Sequence, residues 1–335
     1  MIKSGTTMYA DAGGPHMDMV AKACVESGMR GNIARSTMDM GGNIPDSMKC
    51  SADENIRRTL ELYNEWHNRG DERVKIWFGI RQVMTCSPEL LRKTAEKAKE
   101  LDTGMHAHLC EHKDEVSFCL TNYKMRPAEL LNATGCLTSD LLTAHNVVLS
   151  EGDIKLLAEK GVGVIHCPRS NLSNHGFPKT PRMLEEGISI GLGSDGACTS
   201  SLSLWDEVKV LRNGLIAYWG LPIFDPVVIP YKSLLRMMSQ GGADACRLGD
   251  KLGSVEEGKL ADIILLNINR PHILPTHNLA ATLVESANAG DVVHSIINGK
   301  IVMKNREILT MDEEKIMWEA QKTLESVSAK AGFTL

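Results

Sequence analysis

The sequence predicts an α/β protein built as a parallel barrel of the TIM (β/α)8 type, one strand short and followed by a small β appendage. Three observations lead there. Short β-rich runs alternate with longer helical stretches, as parallel βαβ units require. Polar residues of unusual type fall at the C-terminal ends of several different runs, where barrel enzymes keep their chemistry. No Gly-x-Gly-x-x-Gly turn follows the first run, which weakens the competing doubly wound, dinucleotide-binding arrangement.

The chain opens on MIKSGTTMYADAG, which reads as the end of a helix, a Gly turn and a strand over 5–12. Six further strands are predicted at 30–38, 73–80, 103–110, 141–148, 161–167 and 188–195. Between them the pattern is helical. Ser87 as N-cap and Pro88 in the first turn open a helix over 87–101, and 150–161 repeats the logic with a polar start at Ser150 and a Gly161 stop. Helices over 203–219 and 231–247 follow the seventh strand. From LGSVEEGKLADIILLN the texture changes to short strands at 261–266, 292–297 and 300–303, with an Asn-Gly-Lys hairpin turn at 298–300. An amphipathic helix over about 311–330 closes the chain. The expected division is a barrel over 1–250, a small β-domain over 251–310 and a C-terminal helix over 311–335. Seven strands do not close an eight-stranded barrel, so one is missing or supplied otherwise.

With 335 residues, 43% hydrophobic and 24% charged, the composition is that of a globular protein able to bury a sizeable core. A net charge of −5 and the lack of a long Lys/Arg block argue against nucleic acid or a membrane surface as partner. No apolar run approaches the roughly 20 residues needed to span a bilayer. The nine cysteines are scattered and none forms a Cys-x-x-Cys pair, the usage expected of reduced, mostly buried thiols in a cytoplasmic protein. No basic-then-apolar leader opens the sequence.

The strand at 103–110 carries His106 and His108 on one face, with Glu111 just past its end. Such imidazoles can bind a divalent metal, and a nearby carboxylate can move a proton between metal-activated water and a leaving group. The next strands carry His145, then His166, then Asp195. A lone strand His is more often a core or surface residue, and Asp195 before Gly196 could simply cap a turn. Four consecutive strands delivering such groups to one rim outweigh those readings taken singly. His166, beside Cys167 and Pro168, reads as structural, and Trp205 and Trp219 as helix packing. Other catalytic motifs fail on context. His108-x-x-Glu111-His112 has the spacing of an inverted zinc-protease motif but starts on a strand, not a helix. Pro-Cys-x-x-Cys and Gly-x-Ser-x-Gly elements are absent.

The segments SGTT (4–7), HAHLCE (106–111), TAHNVVLS (143–150), HCPRSNL (166–172), GLGSDGA (191–197) and LGSVEEGKLADIILL (252–266) occur in that order. Together they resemble the amidohydrolase superfamily, in its branch of aminohydrolases acting on purines, pterins and triazines. The resemblance covers nearly the whole chain. It implies one divalent metal, zinc foremost with iron as the alternative, and a small heterocyclic substrate; a homo-oligomer is compatible with it. It further implies His108 as a metal ligand and Glu111 as the proton shuttle. His145, counted with His108 and Asp195 among the metal residues, would polarise the attacking water or stabilise the developing charge, and Asp195 would be a ligand that also touches that water. Arg169, Ser170 and Asn171 fall where the family shapes its substrate pocket.

The family takes two more ligands from a His-x-His on its first strand, and nothing upstream of residue 73 matches it, because His16 and His67 belong to no such pair. The SGTT match belongs before the family's second strand, so its first strand would lie upstream of Met1. The expectation is a truncated chain that binds metal weakly and turns over poorly. His106-x-His108 has the spacing to replace the missing pair, but HLCE fits the family's fifth strand better. Three activities stay open: deamination of an amino-substituted heterocycle, hydrolysis of a cyclic amide or carbon–halogen bond, and an inactive remnant acting as a subunit partner.

Overall fold

The computed structural model describes residues 1–42, 44–199 and 201–333. A 3-10 turn at Ile2–Ser4 stops on Gly5 and leads into β1 (Met8–Asp11). Six strands follow: β2 (Arg30–Arg35), β3 (Val74–Ile80), β4 (Met105–Leu109), β5 (Leu141–His145), β6 (Gly163–His166) and β7 (Ile190–Leu192). They form one sheet in the order β1 to β7, each pair parallel. Sequential order with a helix between successive strands is the barrel-type arrangement the alternation predicts. Every residue of β2, β4 and β5 is buried, as strands covered on both faces must be. Phe78, Ile33, Ile76, Ile80, Leu109 and Leu142 are fully buried at its centre.

Local signals set the helix starts. Ser87 Oγ accepts from Leu90 N–H at 3.1 Å, with Pro88 as the first residue of the helix Pro88–Glu100. Ser150 and Asp153 form a reciprocal capping box on the helix Glu151–Lys160, which Gly161 ends in the left-handed region. Ser150→Ala is expected to cost about 1 kcal/mol. A shift of the urea midpoint at unchanged slope would register it, and an unmoved midpoint would refute the cap's importance.

The second sheet is antiparallel, in the order β11-β10-β9-β8, from β8 (Ile263–Leu266), β9 (Val292–Ile297), β10 (Lys300–Lys304) and β11 (Glu307–Ile308). The predicted hairpin joins β9 to β10 through Asn298 and Gly299, both with positive φ (52° and 75°), the two-residue turn whose twist suits a hairpin. β11 was not foreseen; a second left-handed pair, Asn305 and Arg306, turns the chain into it. The two sheets are tied by a buried, bidentate pair. Arg30 donates to Asp262 at 2.9 and 3.0 Å and to Asn298 Oδ1 at 3.0 Å, so Asp262 of the ADIILL segment anchors the small sheet to β2.

Most observed strands are shorter than predicted, β1 running Met8–Asp11 and β5 Leu141–His145, and three elements depart further. β7 is three residues long rather than eight, because its pairing with β6 ends at Leu192 and the chain then turns through Asp195. The helix predicted over 203–219 runs Leu204–Leu215 and continues as a π turn over Ile216–Gly220. The helix predicted over 231–247 is broken into Tyr231–Met237 and Gln240–Ala245. There Gly241 approaches β7 so closely that a Cβ would stand 2.2 Å from Ile190 O, and a continuous helix would not bring it that near. The closing helix runs Glu313–Ala331. Among the described residues no helix is long and apolar enough to cross a membrane. All nine cysteines are free, and seven are buried.

Candidate active site

The predicted residues converge at the C-terminal ends of β4 to β7. Parallel register places His108 beside Ala144 and Leu109 beside His145, so the ends of β4 and β5 lie level. The chain leaves these strands through four left-handed, non-glycine residues: Cys110 (φ 49°), His145 (75°), Asn146 (59°) and Asp195 (57°). Each costs about 1–2 kcal/mol, and such strain collects where side chains must be aimed. The result is a group of Glu111, His145 and Asp195, each offering a donor atom, all within 4.8 Å of one another. Glu111 Oε1 lies 3.7 Å from His145 Nε2.

His108 sits outside that group but stacks on His145 with ring centroids 5.4 Å apart, and His106 stacks in turn on His108 at 6.3 Å. Burial holds all three imidazoles neutral. His106 is lowered to about 4, His108 falls well below its ordinary value, and His145 is lowered with Glu111 and Asp195 opposing the shift. Neutral imidazoles are the form that binds a cation. The Nδ1 atoms of His106 and His108 are buried without a hydrogen-bond partner. Two carboxylates, an imidazole and these orphaned nitrogens suit a divalent metal.

Ser170 and Asn171, expected to shape the pocket, lie on the short helix Pro168–Asn174 and are buried, each hydrogen-bonded to a member of that group. Ser170 Oγ donates to Asp195 Oδ2 at 2.6 Å. Asn171 Oδ1 accepts from Cys167 N–H at 3.3 Å, which turns its Nδ2 toward His145 Nδ1 at 2.9 Å. His145 Nδ1 therefore accepts, and its proton sits on Nε2, facing Glu111. Arg169 points elsewhere: its N–H donates to Glu207 and its guanidinium lies 4.0 Å from Asp206. His166 is fully buried with Nδ1 3.1 Å from His145 O, the structural role its surroundings suggested. His112 caps the helix Lys113–Tyr123, so the His108–Glu111–His112 spacing is not a helical motif. Trp205 and Trp219 donate to backbone oxygens of Ser4 and Pro178, as packing residues do.

Three neighbours escaped the sequence reading. His175 Nε2 lies 3.4 Å from Glu111 Oε1, Gln82 Nε2 donates to Glu111 Oε2 at 3.4 Å, and Arg81 Nη1 is 3.4 Å from His108 Nε2. The signal for Arg81 and Gln82 was their place immediately after β3; for His175 it was only its nearness to Asn171.

Known proteins share this architecture. A 5-methylthioadenosine/S-adenosylhomocysteine deaminase from Pelotomaculum thermopropionicum is 39% identical over 323 residues, 96% of this chain and 72% of that protein. A zinc-bound adenosine deaminase from Xanthomonas campestris superposes with a TM-score of 0.88 at 26% identity, over 98% of this chain and 73% of that one. The zinc complex of atrazine chlorohydrolase from Arthrobacter aurescens gives 0.86 at 25%, over 96% and 73%. The amidohydrolase family pattern matches residues 1–302, and the chain belongs to the amidohydrolase family.

Proposed function

We propose that the chain removes ammonia hydrolytically from an amino-substituted heterocycle of the aminopurine, pterin or triazine class, with one divalent metal, zinc in this reading. The observation that carries it is the convergence of Glu111, His145 and Asp195 within 4.8 Å beside neutral His108. His108 and Asp195 are the residues that would hold the cation. A divalent cation there supplies an activated water nucleophile at neutral pH.

The chain's own groups do the rest. Glu111, with a side chain 17% exposed, is reached by solvent and faces the donor group. It takes a proton from the attacking water and delivers it to the ring nitrogen; the remaining hydroxyl proton then passes to the amine, which departs as ammonia as the carbonyl forms. His145, held by Asn171 with its proton on Nε2, donates to the oxygen that gains charge during attack. Ser170 orients Asp195.

Ammonia release across aminopurines, pterins and triazines tests the reading, with 5-methylthioadenosine, S-adenosylhomocysteine and adenosine included because relatives are named for them. Activity is expected to vanish on chelation and return with zinc. Turnover that survives complete metal removal would sink it. Likeness to a chlorohydrolase supports a second reading, carbon–halogen hydrolysis, which chloride release from a chlorotriazine would distinguish.

A further inference from the structure

We infer that His166 is a positioning residue: its ring N–H holds the His145 carbonyl, and with it the left-handed backbone that aims the His145 ring into the site. What His145 then does rests on the deaminase reading above. The argument begins with strand alternation. Register sets His106 opposite Leu142 and His108 opposite Ala144, so these four side chains share the inner face of the sheet. His145 comes level with Leu109, which packs in the outer core layer together with Leu141. Alternation alone would therefore turn the His145 ring away from His108. The chain reverses this with φ of 75° at His145 and 59° at Asn146, and the ring stacks on His108 at 5.4 Å.

That turn takes the His145 carbonyl out of the ladder, because the pairing of β5 with β6 ends at Ala144 and Ile165. His166 Nδ1, 3.1 Å away, meets the carbonyl instead. A carbonyl only accepts, so Nδ1 carries a proton. His166 is fully buried, and its Nε2 has no hydrogen-bond partner among the described residues. A leucine would fill the same place without burying an unpaired ring nitrogen, which costs stability. The donor, not the volume, is what a histidine adds here. His166 is level with Leu192 and shares the outer face with Val164, so it acts on the reaction only through His145. With Asn171 Nδ2 at 2.9 Å from His145 Nδ1, both the ring and the backbone of His145 are held.

The test compares, in the full chain, His166→Leu, which removes the donor, with His166→Asn, whose amide nitrogen stands as many bonds from the backbone as Nδ1. In His166→Leu kcat for ammonia release is expected to fall by about tenfold to a hundredfold, the cost of a misaimed group, with KM within about threefold of wild type. His166→Asn should recover most of that loss. Two-bond ¹H–¹⁵N spectra of histidine-labelled protein, with His145 assigned through His145→Gln, read the ring without turnover. Wild type and His166→Asn should show one His145 state protonated on Nε2, and His166→Leu a shifted or doubled signal. An unmoved His145 signal in His166→Leu overturns the inference. So does a kcat loss that His166→Asn fails to reduce, or one that merely follows the urea midpoints of the two variants. If His166→Leu does not fold, His166→Gln, whose amide reaches one bond too far, replaces it with the same expectations. A blank ammonia panel in wild type ends the deaminase reading alone, because the spectra still decide what His166 does to His145.

Discussion

Glu111→Gln is expected to lower kcat by about 10²- to 10⁴-fold, the range of a positioned proton-transfer group. Gln keeps the size and polarity of the side chain, so the contacts with Gln82 and His175 survive in altered form. What it loses is the capacity to accept a proton from the attacking water and return it to the ring. The side chain is not part of the core, so stability should stay within about 0.5 kcal/mol of wild type. Steady-state ammonia release and a thermal melt on the same preparation measure both. A drop below tenfold would remove Glu111 from the shuttle role and leave it a spectator of the donor group.

The second large effect concerns Glu115, in the first turn of the helix Lys113–Tyr123, four residues beyond Glu111. Its carboxyl is fully buried, the Cys110 and Glu111 N–H groups approach it without reaching good hydrogen-bond geometry, and burial pushes it up to about 8 against their pull. In the unfolded chain the group titrates near 4.5. Between pH 4.5 and about 8 the folded protein therefore holds a proton that the unfolded chain releases, and stability falls as pH rises through that window. Below 4.5 both states are protonated and nothing is lost. Glu115→Gln removes this titration while keeping the shape. Relative to that variant, wild type should lose stability on the order of 4–5 kcal/mol from pH 4.5 to pH 8. Urea unfolding of both proteins at pH 5 and pH 8 reads the difference. A gap that does not change with pH would mean that the buried carboxyl is ionised and paired in the folded state.

Much of this molecule was legible because its signals are local. Ser87-Pro88, Ser150 with Asp153, and Asn298-Gly299 each act within a few residues, and each does in the structure what its sequence neighbourhood implies. Strand-end position likewise singled out His108, Glu111, His145 and Asp195. The shortness of β7 and the break after Met237 were not legible, because the first depends on where the pairing with β6 stops and the second on how closely Gly241 approaches Ile190, some fifty positions away in the chain. Arg81 was passed over for a similar reason: an arginine after a strand is unremarkable until the β3–β4 register sets it against His108.

The sequence by itself determined the alternating βα order, the residue types at the strand ends and the family to which they point, since periodicity and motif order are properties of the chain alone. Only the tertiary structure decided what those residues do to one another. Ser170 and Asn171, read from sequence as pocket residues, prove to brace Asp195 and His145. The proton on His145 Nε2 follows from an amide that Cys167 N–H orients. Three segments meet there, and hydrogen bonds of about 3 Å between them are set by packing of the whole sheet, which no local pattern records.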